Sequence, residues 1–318
     1  MTRSRRLLLA VTCVALACAA ALALRAFRQP AKSGGAPLAD VLADSISRIT
    51  AACPGEVGVA VLVGGTDTVV VNDWSVYPMM SVFKLHQALA LCNRFDRDGR
   101  SLDTLLTIRR DELDPHTWSP MLKEHREALI ALPVADLLRY TLVWSDNNAS
   151  NVLFERLQGV AATDSFVATL IPRASFQIAY TEAEMSVDHA KAYSNYTSPL
   201  GAAMLMDRLF ADSIVSRPKQ RFIQRLLGEC TTGKDRIAAP LLDKAGVTIA
   251  HKTGSGYTAN GILTAHNDVA HICLPSGVRY TLAVFIKDFR GYEAQASRVA
   301  ARISAAVYAV LAEKGRGS

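Results

Sequence analysis

The order of apolar patterns along the chain is the feature that most limits its fold. Short β-like runs lie within residues 56–71 and again within residues 247–288. Between them, residues 81 to about 228 carry mainly helical apolar spacing, interrupted at prolines. Short hairpin connections favour antiparallel pairing. The sequence therefore predicts an α/β (α+β) fold, in which both strand groups share one sheet and a helical domain is inserted between them.

Two further helices are predicted outside the strand groups, at residues 37–52 and 292–313. The chain then divides into an α/β domain made of two parts, residues 33–78 and 229–318, and an inserted all-α domain at residues 79–228. A cleft between domains is where a catalytic site is most often found.

Residues 1–32 hold the excess of positive charge. The formal charge is +6, but six of the 35 basic residues lie in this segment, which has no acidic residue, so the remainder has 29 basic and 29 acidic residues. A nucleic-acid-binding protein should carry its basic excess on the folded part. The balance therefore argues against a nucleic-acid partner.

The same segment has the layout of an export signal or N-terminal anchor followed by a spacer. A cationic start is followed by the apolar residues 7–24 and then by a polar stretch rich in glycine and proline. The apolar run is also long enough for a membrane anchor. The segment predicts export to the periplasm, and it leaves open cleavage, membrane attachment or lipid attachment.

Ser81 and Lys84 form the first motif with catalytic potential. They lie three residues apart at the start of a segment that is apolar on nearly every side, so the hydroxyl and the amine can meet on one helix face. One interpretation is a helix cap beside a lysine that reaches solvent; the other is a nucleophile beside an activating amine. The spacing alone is weak, because Ser216 and Lys219 repeat it in a polar turn.

Two more motifs follow in the chain, Ser145-Asp146-Asn147 after an amphipathic run and Lys252-Thr253-Gly254 at the end of an apolar strand. Taken alone, the first is typical of a helix cap and the second of an exposed strand end. Ser-x-x-Lys, Ser-Asp-Asn and Lys-Thr-Gly in this order form the motif set of penicillin-recognising serine enzymes.

The chain resembles class A serine β-lactamases over nearly all of its length after the leader. It looks closest to the CfxA-type cephalosporinases, through the segments "YPMMSVFK", "SDNNASN", "RIAAPLLDK" and "AHKTGSGY". The resemblance implies a β-lactamase/transpeptidase-like fold with a five-stranded antiparallel sheet, flanked by helices and packed on an all-α domain. It also implies hydrolysis of small β-lactam substrates by a monomer without a cofactor.

The resemblance implies a catalytic role for each motif. Ser81 would attack the lactam carbonyl, and Lys84 would help to take its proton, although the glutamate acting through water is a competing acylation base. Ser145 would pass a proton to the departing nitrogen. The backbone N–H groups of Ser81 and Ser255 would hold the oxyanion, a contribution of about 3–4 kcal/mol per donor.

Six residues would bind substrate if the resemblance holds. Asn147 would hold the acylamino side chain, and Trp118 would line the cleft entrance. The residues assigned to the substrate carboxylate and that side of the cleft are Lys252, Thr253, Ser255 and Arg236. A lone arginine is otherwise a surface charge, and a lone tryptophan is otherwise ordinary packing.

Deacylation needs a base beside a water molecule. Glu182 lies 35 residues after Asn147, where the family carries its loop glutamate, and the resemblance assigns it this role. Without the resemblance, Glu182 would be one of several solvated acids, together with Glu184 and Asp188. Penicillin-binding transpeptidases share the three motifs but lack this glutamate.

The loop around Glu182 departs from the common family pattern at three positions. Ser186 stands where an asparagine usually helps to hold the water. Tyr180 and Asn195 stand where an Arg–Asp pair usually clamps the loop, so a neutral hydrogen bond is expected there. We expect this loop to leave more room for bulky cephalosporin side chains.

The alternatives are a penicillin-binding DD-peptidase and a β-lactam sensor, both of which acylate but deacylate slowly; Glu182 argues against the first.

A metal enzyme is not expected, because the seven histidines have no metal-ligand spacing. The pairing of the four cysteines beyond the leader is left open; they are Cys53, Cys92, Cys230 and Cys273.

Overall fold

A computed structural model of the chain describes residues 37–65 and 67–315. The predicted export segment at residues 1–32 lies outside the described residues. In the part that is described, no helix has the length and apolar character needed to cross a membrane.

The helices are α1 Leu38–Ala51, α2 Phe83–Arg97, α3 Pro120–Glu124, α4 Val134–Val143, α5 Asn147–Arg156, α6 Val160–Val167, α7 Glu182–Val187, α8 Pro199–Ala211, α9 Arg217–Gly228 and α10 Glu293–Lys314. The strands are β1 Glu56–Val63, β2 Asp67–Val71, β3 Tyr77–Pro78, β4 Leu105–Arg109, β5 Leu129–Pro133, β6 Phe176–Gln177, β7 Tyr196–Thr197, β8 Thr248–Ser255, β9 Thr258–Ala259, β10 Ile262–Cys273 and β11 Arg279–Arg290. Short 3-10 helices cover Met80–Val82, Arg110–Glu112, Arg173–Ser175 and His189–Ser194.

The main sheet joins the two ends of the chain, as the sequence predicts. Its strand order is β2-β1-β11-β10-β8, with the two-residue strand β9 added beside β10, and all of these pairs are antiparallel. The N-terminal and C-terminal strands meet where β1 pairs with β11, from Glu56 opposite Lys287 to Val63 opposite Tyr280. The predicted five-stranded sheet is thus confirmed, with β9 as a small addition.

Each face of the sheet packs against helices because side chains alternate along its strands. Val59, Leu282 and Val284 belong to a core with Ile46 of α1 and Ile303 of α10. The opposite face has Ala60 and Phe285 in a second core, which continues into the helical region around α2. The sheet is therefore buried on both sides, and the edge strand β8 borders the helical region.

The region between the strand groups is mainly helical, as the sequence predicts, and it also contains a few short strands. Strands β4 and β5 form a two-stranded antiparallel sheet, and β6 and β7 form a small sheet with β3, which lies just before residue 79. In the β4–β5 sheet only Ile108 and Ile130 are fully buried. Strands this short contain too few apolar residues to show a period, so the sequence did not reveal them. The domain boundaries drawn from the sequence stay predictions.

Candidate active site

Ser81 lies in the 3-10 turn Met80–Val82 that leads into α2. The helix itself begins at Phe83, slightly later than the sequence suggested. Met80, directly before the serine, has a φ of 47°, an uncommon conformation for a residue with a side chain. The turn and the helix together bring the Nζ of Lys84 to 2.9 Å from the Oγ of Ser81.

Lys84 is fully buried, so the interpretation in which its amine reaches solvent is wrong. Besides Ser81, its Nζ lies 2.9 Å from the carbonyl oxygen of Ser145, 2.6 Å from Oδ1 of Asn147 and 2.9 Å from Oε1 of Glu182. A buried ammonium is tolerated only where charge and hydrogen bonds replace its water. The four contacts provide this replacement.

Glu182 is the first residue of α7 and is 5% exposed, so it is not a solvated acid. Its Oε1 accepts a hydrogen bond of 2.7 Å from the Ser81 hydroxyl and lies against the Lys84 amine. Glu184 is exposed and takes part in the capping box of α7 instead. Burial and contact therefore separate Glu182 from its acidic neighbour, which the sequence alone could not do.

A second buried lysine, Lys252, reaches the same centre through Ser145. The Nζ of Lys252 donates to Ser145 Oγ at 3.0 Å and to the carbonyl oxygen of Thr253 at 2.9 Å. Burial lowers the pKa of Lys252 from its usual 10.5 to about 7. Ser145, with a φ of 59°, thus contacts Lys84 through its carbonyl and Lys252 through its hydroxyl.

Asn147 begins α5, and both ends of its side-chain amide are hydrogen-bonded. Its Oδ1 accepts from Lys84, and its Nδ2 donates to Thr117 Oγ1 at 2.9 Å. The residue before it, Asp146, caps α5 by accepting from the Ala149 N–H at 2.8 Å. The Ser-Asp-Asn motif is therefore a helix cap, as one interpretation held, and also part of the site.

Strand β8 passes directly against the turn that holds Ser81. A Cβ added to Gly254 would overlap the carbonyl oxygen of Met79 and lie 3.3 Å from the Ser81 amide nitrogen. Only glycine permits this approach. It places the end of β8, with Thr253 and Ser255, beside the nucleophile.

Arg236 lies behind the end of β8 and is 6% exposed, so it is not a surface charge. Its Nη2 donates to Ser255 Oγ at 2.5 Å, and its Nη1 donates to the carbonyl oxygen of Asn267 at 2.7 Å. Trp118 is instead 53% exposed, and its Nε1 donates to the carbonyl oxygen of Trp144 at 2.8 Å. Arg236 thus joins the site through Ser255, whereas Trp118 is tied to the end of α4.

The loop that carries Glu182 is clamped by neutral hydrogen bonds. The Oδ1 of buried Asn195 accepts from the N–H groups of Ala179 and Tyr180 at 2.8 and 2.9 Å, and its Nδ2 donates to the Tyr180 carbonyl at 2.8 Å. The contacts involve the backbone of Tyr180 and not its phenol. Ser186 donates back to the carbonyl of Ala183 within α7.

Replacing Asn195 with alanine should loosen this loop. The change removes the three hydrogen bonds to the loop backbone and a longer one to the Met185 sulfur, and we expect a loss of about 2 kcal/mol in the free energy of unfolding. If the loop positions a catalytic Glu182, turnover should fall about tenfold or more. Urea denaturation and steady-state kinetics measure the two effects. Ser186→Ala, which changes a bond within α7 only, is the matched control; equal behaviour of the two variants would contradict the clamp.

Asn151 is a residue that the sequence analysis missed. Its Oδ1 accepts from the Ala183 N–H at 3.2 Å and so connects α5 to α7. It lies four residues after Asn147, on the same side of the helix, and this spacing is a signal that could have identified it.

The four cysteines whose pairing was open are free thiols in the structure. Among the described residues, no group of three His, Cys, Asp or Glu side chains could hold a metal ion.

Comparisons with known proteins agree with one another. The profile of the "Beta-lactamase enzyme family" matches residues 41–311. A β-lactamase of Phocaeicola vulgatus is 63% identical over 98% of each chain, and the extended-spectrum β-lactamase PER-1 of Pseudomonas aeruginosa is 32% identical over 86% of this chain and 87% of its own. The solved class A β-lactamase of Bacteroides cellulosilyticus superposes with a TM-score of 0.83 at 29% identity, over 88% of this chain and all of its own.

Proposed function

The chain belongs to the beta-lactamase enzyme family and is a class A serine β-lactamase, and we propose that it opens the β-lactam amide through an ester on Ser81 that water, activated by Glu182, then cleaves. The observation that carries this mechanism is the contact of one carboxylate oxygen, Glu182 Oε1, with both the Ser81 hydroxyl and the Lys84 amine.

Acylation begins at Ser81. As its Oγ forms a bond to the lactam carbonyl carbon, its proton passes to the Lys84–Glu182 pair, both members of which lie within 3 Å. The amide C–N bond then breaks, and the Ser145 hydroxyl, which accepts a hydrogen bond from Lys252, relays a proton to the departing nitrogen, so that the proton lost by Ser81 ends on that nitrogen and Glu182 is a carboxylate again. The backbone N–H groups of Ser81 and Ser255 are the donors for the oxyanion.

Acylation changes the hydrogen bonding of Glu182 in a way that prepares deacylation. Once Ser81 Oγ is an ester oxygen, it no longer donates to Glu182, and the carboxylate can accept from a water molecule instead. Glu182 takes a proton from this water as it attacks the ester carbonyl, and Ser81 leaves with a proton returned to its Oγ. Burial of Glu182 keeps this base out of bulk solvent.

The substrate-binding residues fit an anionic, elongated ligand. Lys252, Thr253, Ser255 and Arg236 offer cationic and hydroxyl groups at one end of the cleft, suited to a carboxylate. We assign Asn147 to the acylamino side chain of the substrate and the exposed Trp118 to the cleft entrance. Cephalosporins and penicillins both present these two groups, and the neutral loop clamp favours bulky cephalosporins.

We also propose that the enzyme is exported to the periplasm, and we take the monomeric state from the family resemblance alone. The argument is the cationic and apolar pattern of residues 1–32; an N-terminal membrane or lipid anchor is the alternative to cleavage.

The test is turnover by the purified protein. A chromogenic cephalosporin, a large oxyimino cephalosporin and a small penicillin should each be hydrolysed for many cycles, with the cephalosporins preferred, while Ser81→Ala should be inactive because it lacks the nucleophile. Consumption of a single equivalent would instead indicate an acylated sensor or a DD-peptidase and overturn the proposal. A strong penicillin preference would overturn the proposed substrate range.

A further inference from the structure

A second cluster of ionisable side chains lies beside β8 and has no part in the mechanism above. Cys230, His251 and Asp268 are each less than 8% exposed. Side chains alternate along a strand, so His251 and Thr253 share the face of β8 opposite to that of Lys252. Asp268 on β10 is paired directly with Thr253 and belongs to this same face.

Asp268 holds the cluster together. One of its oxygens lies 3.0 Å from His251 Nδ1, and the other accepts from the backbone N–H of Ile237 at 3.2 Å. Ile237 follows Arg236 in the chain. Asp268 therefore fixes both the imidazole on β8 and the segment that brings Arg236 to Ser255.

Cys230, two residues after α9, is connected to the substrate-binding threonine. Its Sγ lies 3.4 Å from Thr232 Oγ1, which in turn lies 2.6 Å from Thr253 Oγ1. The thiol also interacts with the imidazole of His251. A continuous set of polar contacts thus runs from the buried thiol to the hydroxyl of Thr253.

We propose that Cys230 is a positioning residue: as a thiolate held by the His251–Asp268 pair, it orients Thr253 through Thr232 and keeps Lys252 protonated for the substrate carboxylate. The inference rests on the proposed function, because the carboxylate contact is part of that proposal.

The electrostatics of the cluster agree with its geometry. Burial alone would raise the pKa of the thiol, but the hydrogen bond and charge of His251 lower it to about 7. Burial alone would lower the pKa of His251, but Asp268 raises it to about 10. Burial lowers the pKa of Lys252 to about 7, and the charge of Cys230 is the strongest influence opposing this change.

The groups that act on Lys252 come from several elements. They are Lys84 in α2, Glu182 in α7, Cys230 after α9 and Asp268 in β10. Those that act on the cysteine are His251 and Lys252 of β8, with Arg236 facing it from the following segment. Of these groups, Cys230 is the one to neutralise in a test. The others either belong to the proposed catalytic and substrate-binding residues or form the His251–Asp268 pair.

These charges determine the direction in which the pKa of Lys252 changes when Cys230 is replaced. A neutral side chain at position 230 removes the charge that favours the ammonium form, so the pKa of Lys252 falls further. The protonated lysine is then lost at a lower pH. The alkaline limb of the pH profile of kcat/KM should therefore move to lower pH. The decrease in kcat/KM should come mainly from a higher KM, because Lys252 and Thr253 bind the substrate.

The experiment compares Cys230→Ser, which is nearly isosteric and neutral, with Cys230→Asp, which keeps the negative charge. Kinetics with a chromogenic cephalosporin between about pH 5 and 10 should show the alkaline limb of the serine variant lowered by about one pH unit. The aspartate variant should return it toward that of the parent. Cys273→Ser, at the far end of β10 opposite Thr248, is the control and should cause no shift.

The inference would be overturned if the alkaline limb of Cys230→Ser stayed at the pH of the parent, or if activity fell equally at all pH values. Cys230 would then have only a structural role. A second readout needs no catalysis: the ultraviolet thiolate absorbance of the parent minus that of Cys230→Ser should be present near neutral pH. A thiol still protonated at about pH 9 would also overturn it. If the parent fails to hydrolyse any β-lactam, the proposed function fails, while the absorbance still decides whether the ion pair exists.

Discussion

Replacing Glu182 with glutamine is expected to trap the enzyme as an ester on Ser81. Acylation should continue, because the buried Lys84 amine then has no carboxylate beside it to stabilise an ammonium, and as a neutral amine 2.9 Å from the serine oxygen it can accept the proton. Deacylation should fall by roughly 10²–10⁴-fold, the usual contribution of a general base, because the amide cannot take a proton from water. Intact-mass spectrometry after mixing with a cephalosporin should show one added acyl group per protein.

Glu184→Gln is the matched control for this prediction. Glu184 lies in the same short helix and caps it, and glutamine also serves in a capping box, so this variant should turn over substrate like the parent. Turnover by Glu182→Gln at the parent's rate would show that another group activates the water.

Replacing Lys84 with methionine should have an equally large effect, on two properties. Turnover should fall by at least about 10³-fold, because Ser81 loses the amine that contacts it and Ser145 loses its carbonyl contact. The free energy of unfolding should also fall, by about 3–5 kcal/mol, because the change leaves the carboxylate of Glu182 buried without its opposite charge.

The double variant Lys84→Met/Glu182→Gln separates the two effects. Neutralising the carboxylate removes the unpaired charge, so much of the lost stability should return while the enzyme stays inactive. Urea denaturation of the parent, both single variants and the double variant gives the four free energies of unfolding that a double-mutant cycle requires. If Lys84→Met unfolds at the same urea concentration as the parent, the buried pair contributes nothing to stability.

Several features of the site follow from residues close together in the chain. The proximity of Ser81 and Lys84 follows from the spacing of a helical turn, and the alternating runs at both ends of the chain are enough to predict an antiparallel sheet. The short strands β4 and β5 were missed because five-residue segments with few apolar side chains have no distinctive period. Asn195 was expected to make a neutral contact with Tyr180, but its bonds to the Tyr180 backbone could not be predicted from side-chain identities.

By itself, the sequence determined which motifs are present, where the main sheet and the long helices fall, and that Ser81 and Lys84 are neighbours. Only the tertiary structure decided that Glu182, 101 residues from Ser81, meets its hydroxyl at 2.7 Å, and that Cys230, His251 and Asp268 gather behind Thr253. The physical reason is that neighbours within one helix or strand follow from its fixed period. Contacts between distant segments depend on strand register and on how the two cores pack, and these are set by the burial of the whole chain.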